Sequence, residues 1–187
     1  MASLSAGKAP PTSALSAVRR RFDCHGPVAA DGNEAPGSPT SFEHLTVGGG
    51  EVCVVSDEGA LRCWGLGANG RLGSGDTANR GDGPGEMGAF LPTVDVGTGR
   101  TVSAVAGGRT TMCAILDDGS LKCWGSGVSG QLGQGNTADR GGTPDEMGDD
   151  LPAIALGTGR TATAVTGGVS HTCALLDNAK VKCWGRN

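Results

Sequence analysis

A chain of 187 residues is long enough for one domain, and its formal charge of -4, with basic residues scattered rather than grouped, excludes a nucleic-acid-binding stripe. Glycine (35 residues) and proline (9) together approach a quarter of the chain, and with no Tyr, three Phe and three Trp any core must be assembled from Val, Leu, Ala, Cys and single tryptophans. No segment approaches the roughly 18 apolar residues that a membrane span needs.

Residues 1–43 share no pattern with the rest. Met1 to Phe22 holds four Ser, Lys8 and the triplet Arg19-Arg20-Arg21, and no acidic residue precedes Asp23. Two readings stay open, a disordered tail and an organellar transit peptide, the latter being Ser- and Arg-rich and poor in acid. A secretory signal fits worse, because the Ala14-Leu-Ser-Ala-Val18 run is short and its charges follow it.

From 44 to 187 the chain is periodic. Cys53-Val-Val-Ser-Asp-Glu-Gly-Ala-Leu-Arg-Cys63-Trp64-Gly65 returns sixty residues later as Cys113 to Gly125 and again as Cys173 to Gly185, which marks a repeat architecture and outweighs the disorder that the glycine content alone would indicate. In the best-defined unit, Thr93-Val-Asp-Val96 alternates like a strand, Gly97-Thr-Gly-Arg100 is a turn and Thr101-Val-Ser-Ala-Val105 a second strand. The cysteine hairpin follows, so the unit reads as a four-stranded antiparallel meander. Pro152 to Trp184 repeats it, whereas the unit around Cys53 lacks an obvious first strand.

The hairpin register decides how the cysteines sit. A three-residue Asp117-Asp118-Gly119 loop with Gly119 left-handed sets Cys113 opposite Cys123 and Ile115 opposite Leu121, giving one wholly apolar face. Ala114, Leu116, Lys122 and Trp124 take the other. A two-residue turn would slip the register by one and part the cysteines. Ala179 stands where the other copies have Gly, and a left-handed Ala costs about 1–2 kcal/mol, so the third hairpin is expected to be looser or to use another turn.

Three candidate disulfides follow: Cys53 with Cys63, Cys113 with Cys123, Cys173 with Cys183. Reduced cysteines packed as small hydrophobes are the alternative. Zinc does not suit a nine-residue gap with no recurring His, and the acidic connector residues lack calcium-loop spacing. Gly65-Leu-Gly67-Ala-Asn-Gly70 matches a dinucleotide fingerprint, but no helix can start at the following Leu72-Gly-Ser-Gly75. Arg80, Arg100, Arg140 and Arg160 recur by position and read as structural hydrogen-bond donors. Of the histidines, His171 alone falls in an expected strand, and no reactive constellation converges. The chain therefore reads as no enzyme, with no cofactor.

Trp64-Gly65 with Gly70-Arg-Leu-Gly73 and Arg80, Trp124-Gly125 with Gly130-Gln-Leu-Gly133 and Arg140, and the final Trp184-Gly185 resemble the repeat of the regulator of chromosome condensation family. The Cys pairs and the Glu86-Met-Gly88 and Glu146-Met-Gly148 segments are additions of a subtype. The resemblance implies an all-β fold, a partial β-propeller of four-stranded antiparallel blades, about two complete and part of a third. It implies a non-catalytic scaffold whose loops, here 66–91 and 126–151, bind proteins. The alternatives it carries are nucleotide exchange on a small GTPase and a propeller fragment of a larger regulator such as a HECT-type ubiquitin ligase. Neither nucleic acid nor membrane is an expected partner. An incomplete ring would expose blade faces and strand edges, which invites self-association.

Overall fold

The computed structural model describes residues 41–186, and the tail readings for 1–40 lie outside them. Among the described residues, nine strands form three separate antiparallel sheets of three strands each. The first is β1 (Phe42–Val47), β2 (Glu51–Ser56) and β3 (Leu61–Gly65); the second is β4 (Val102–Gly107), β5 (Thr111–Leu116) and β6 (Leu121–Gly125); the third is β7 (Ala162–Gly167), β8 (His171–Leu176) and β9 (Val181–Gly185).

The hairpin register is the expected one in all three copies. Cys53 faces Cys63, Cys113 faces Cys123 and Cys173 faces Cys183, with Ile115 opposite Leu121. Gly59 and Gly119 occupy the left-handed region at φ 78° and 75°. Ala179 does so too, at φ 60°, so the third hairpin keeps the same turn instead of loosening or changing it. Its Asn178 Oδ1 accepts the Lys180 N–H, as Asp118 Oδ1 accepts that of Ser120, and this local bond holds the loop shape despite the strained alanine.

One further expectation fails. The blades have three strands, not four: Thr93–Val96 forms no strand of the second sheet but crosses to the outer edge of the first. Thr93 bridges Arg62 and the Val94 N–H bonds to Leu61 O, while the Ile154 N–H bonds to Leu121 O in the same manner. The reason lies in the glycine turn that follows. With Gly97 at φ 120° and Gly99 at φ 69°, Gly97–Arg100 carries the chain onward to an inner strand rather than folding it back on itself. The alternation of Val94 and Val96 is real, since both side chains are buried, but it seats them against the preceding sheet. The first unit's β1, which takes in His44, is the counterpart of β4, whereas the counterpart of Thr93–Val96 falls at 33–36, outside the described residues. The three sheets are thus equivalent.

Sheets stack face to back. The Cys53, Val55, Leu61 and Cys63 face of the first packs on Met112, Ala114, Leu116 and Trp124 of the second. The second's Cys113, Ile115, Leu121 and Cys123 pack on Ala174, Leu176 and Trp184 of the third. Every residue of β5 and β6 is consequently buried, which is why Thr111-Met-Cys-Ala-Ile-Leu116 reads as a nearly continuous apolar run. The inner strands β1, β4 and β7 touch in succession. The Gly107 N–H donates to Thr46 Oγ1 (2.9 Å) and the Arg109 N–H to Gly168 O (3.0 Å), so the glycine corners converge around an open depression of about 390 Å³.

Candidate functional site

The two long connectors, 66–91 and 126–151, leave the ends of β3 and β6, and the repeated motifs explain their shape. Gly65 (φ 103°) and Gly125 (φ 99°) turn the chain off the strand, and a Cβ at either would stand 2.3 or 2.4 Å from the carbonyl oxygen of Gly50 or Thr110. Each then pairs through both backbone groups with Arg80 or Arg140, at 2.8 and 3.0 Å in both copies. Gly185 keeps the same conformation at φ 108°. The fixed offset between Trp-Gly and Arg in the sequence is therefore a backbone clasp.

The Gly-x-Leu-Gly segment is the seat for the next sheet's tryptophan. Leu72 and Leu132 are buried; the Trp124 indole N–H donates to Arg71 O (3.2 Å) and that of Trp184 to Gln131 O (2.9 Å). Any Cβ at Gly73 or Gly133 would fall within 2.8 Å of those indole nitrogens. Trp124 is fully buried, whereas Trp64 and Trp184 are half-buried.

Side chains finish the connectors. Arg80 donates to Asp76 (2.5 Å) and Asn79 O; Arg100 meets Asp117 and Asp118, and Arg160 meets Asp177. Arg140 is less well served, 3.9 Å from Glu146 Oε1 with its Nε buried and unbonded. The Glu-Met-Gly segments clamp their own loops. Glu86 Oε2 accepts the N–H groups of Gly81, Asp82 and Gly83, and Glu146 Oε2 those of Gly142 and Thr143. The basic residue before the second cysteine ties down the far end: Arg62 bonds Leu91 O, and Lys122 Nζ bonds Gly148 O at 2.8 Å. Thr98 donates to both oxygens of Asp149, first through its hydroxyl and then its N–H, and together they hold that carboxyl below the usual range.

With the framework so fixed, the connectors differ at the buried pair of positions Arg71 and Gln131 and at their exposed tips. The tip of the first is Ala89-Phe90, with Phe90 77% exposed, while the equivalent tip of the second is Asp149-Asp150. Val128 is 68% exposed where the first connector has Ala68. The structure thus joins each cysteine pair, with sulfurs 2.08, 2.16 and 2.10 Å apart, and Trp124, Trp184, Gly65, Gly125, Arg80 and Arg140 make the hydrogen bonds given above.

One buried ion pair escaped the sequence reading. Glu51, fully buried, faces Arg71 at 3.5 Å, and its Oε1 has no hydrogen-bond partner. Burial pushes its carboxyl above the ordinary value, against the opposing pull of Arg71. The signal was present as a paired change: Glu51 and Arg71 in one repeat become Thr111 and Gln131 in the next.

The regulator of chromosome condensation (RCC1) repeat model matches residues 102–131 and 162–187. The chain is 30% identical over 136 residues to the ultraviolet-B receptor UVR8 of Arabidopsis thaliana, covering 70% of this chain and 29% of the receptor. It is 32% identical over 140 residues to the human E3 ubiquitin-protein ligase HERC2, covering 73% of this chain and 3% of the ligase. Among solved structures it resembles human WBSCR16, with a TM-score of 0.60 at 20% identity over 77% of this chain and 33% of that one. It also resembles yeast RCC1 (Prp20) bound to Kap60, with a TM-score of 0.56 at 19% identity over 78% of this chain and 30% of that one. The chain therefore spans under a third of these relatives' lengths. A Trp held by a Gly-x-Leu-Gly seat, a Gly–Arg clasp and these likenesses make one case: the chain belongs to the RCC1-like repeat family.

Proposed function

We propose that the chain is a sector of a propeller that serves as a non-catalytic protein-binding scaffold, with connectors 66–91 and 126–151 forming the contact surface. One observation carries this: both connectors share a framework of matching backbone and side-chain clamps, yet present chemically different tips, Ala89-Phe90 and Asp149-Asp150. A fixed frame with variable exposed side chains is how a preorganised recognition surface is built, because loop ordering is not paid for on binding. Yeast RCC1 (Prp20) is seen with Kap60, and its binding to Gsp1p and histones has been studied. These precedents support protein binding as the class of activity.

The test is a pull-down with the chain and with a variant in which Phe90 and Val128 become Ser and Asp150 becomes Ala. The variant is expected to lose the partner while keeping its thermal transition. Undiminished capture by the variant would refute the assignment of the surface. Stimulated nucleotide release from a small GTPase would replace it with an exchange activity, for which only the family speaks.

A further inference from the structure

Between the first and second units the two connectors and the segment Pro92–Asp95 enclose a crevice of about 180 Å³. Gly73 and Gly75 line it from the first connector, Pro144 and Met147 from the second, with Pro92 and Asp95 between them. Sites for whole small molecules run to roughly 300–1,000 Å³, so this one suits a single long side chain. The glycines keep it open. A Cβ at Gly73 would stand 2.9 Å from Met147 Cε, and one at Gly75 would stand 3.2 Å from Pro144 Cα.

Asp95 is the one charged residue among those lining the crevice. Its Oδ1 accepts the Gly97 N–H at 2.9 Å and its backbone oxygen accepts the Gly148 N–H at 3.1 Å, which pins the residue in place. Its Oδ2 accepts no hydrogen bond among the described residues, and Asp95 makes no ion pair there. Neighbouring charges are committed elsewhere: Thr98 holds Asp149, Arg80 holds Asp76, and Lys122 Nζ is bonded to Gly148 O. Nor does the repeat require an acid, because Ala155 takes the same place one period later.

A pinned carboxylate with one oxygen uncommitted, beside prolyl and thioether walls, matches a side chain with an apolar stem and a cationic head. We infer that the crevice receives one arginine side chain from the protein partner. The guanidinium bonds to Asp95 Oδ2, and its planar, weakly hydrated group and methylenes pack along Pro92, Pro144 and Met147. The surrounding field favours the approach, since connector 126–151 carries Asp139, Asp145, Glu146, Asp149 and Asp150 against Arg140 alone. The walls are held in advance by the Gly148–Asp95 bond and by Asn69 Nδ2 donating to Asp139 at 2.9 Å, so little loop ordering opposes binding. This inference rests on the connectors being the contact surface and adds the residue type that the partner must present.

The probe is the peptide acetyl-Gly-Arg-Gly-amide, titrated into the isotope-labelled full chain while amide resonances are followed by NMR. Its citrulline analogue, alike in shape but neutral, is the control. The arginine peptide should shift the amides of Gly73, Gly75, Asp95 and Met147 with half-saturation in the millimolar range, and the citrulline peptide should bind about fivefold more weakly or less. Asp95→Asn keeps an acceptor for the Gly97 N–H and should weaken the arginine peptide by a similar factor. Equal shifts from both peptides, or none at these amides, would overturn the inference without recourse to any variant. In the pull-down, Asp95→Asn should reduce capture of the partner. Full capture by Asp95→Asn, with loss in the Phe90, Val128 and Asp150 variant, would overturn the crevice and leave the contact surface standing. The opposite pattern would uphold the crevice and refute the tips.

Discussion

Tryptophan and glutamate show how one residue's surroundings set its weight. Trp124 lies wholly between two sheets with its indole N–H satisfied by Arg71 O, whereas Trp64, at the equivalent position of the first sheet, is half-buried. Trp124→Ala should therefore cost about 3–5 kcal/mol and Trp64→Ala clearly less, read as shifts in the denaturation midpoint. Equal losses would contradict the face-to-back stacking. Glu51 gives a pH signature. Its carboxyl is raised by burial, so the folded chain holds the proton more tightly than the unfolded one. The stability this contributes is complete below the unfolded value and lost as pH rises through the folded one. Asp118 is lowered, chiefly by the Ser120 hydroxyl and N–H, and acts in the opposite sense, its stability fading as pH falls through its folded value. Denaturation midpoints taken from about pH 4 upward should show Glu51→Gln gaining on the parent chain as pH increases. The reverse trend would mean that the Arg71 charge outweighs desolvation.

At the level of the hairpin, the turn position is the clearest natural experiment in the chain. Gly59, Gly119 and Ala179 share one left-handed conformation, and only the alanine pays for it sterically. Ala179→Gly should raise stability by about 1 kcal/mol, while Gly119→Ala should lower it by about 2 kcal/mol or more, since a Cβ there would sit 2.7 Å from Thr161 Cβ. Paired denaturant titrations decide it, and no gain from the glycine would mean that the Asn178–Lys180 bond already offsets the strain. Hairpins of this kind were legible in the sequence because cross-strand pairing is a local rule: loop length fixes register, and register fixes which side chains meet. The placement of Thr93–Val96 was not. Alternation says that a segment is extended with one face buried, but which sheet edge receives it depends on the direction in which Gly97 and Gly99 send the chain, and glycine turns allow several. β1 was missed for a related reason. Phe42-Glu-His-Leu-Thr-Val47 alternates weakly, and its side chains are largely exposed, so little burial pattern was there to read.

Across the whole molecule, the sixty-residue period announced stacked equivalent units, and the stacking explains why each unit needs both a cysteine face and a tryptophan face. The first supplies a flat apolar surface without bulk; the second supplies the one large side chain that fills the gap above it. The candidate binding surface was legible as two loops, because glycine-rich connectors between periodic strands must run over the surface. Their internal clamps were not, since Glu86 and Glu146 act on backbone groups that only the folded loop brings together. Everything above the hairpin, including the seat for each tryptophan and the frame that holds the connectors, depends on the cysteines meeting within each copy. Trypsin cuts after Arg62, Lys122 and Lys182, between the members of each pair, so a digest of the unreduced chain tests this directly. It should yield three disulfide-linked peptide pairs, joining Cys53 to Cys63, Cys113 to Cys123 and Cys173 to Cys183. A peptide linking cysteines of different repeats would contradict the account.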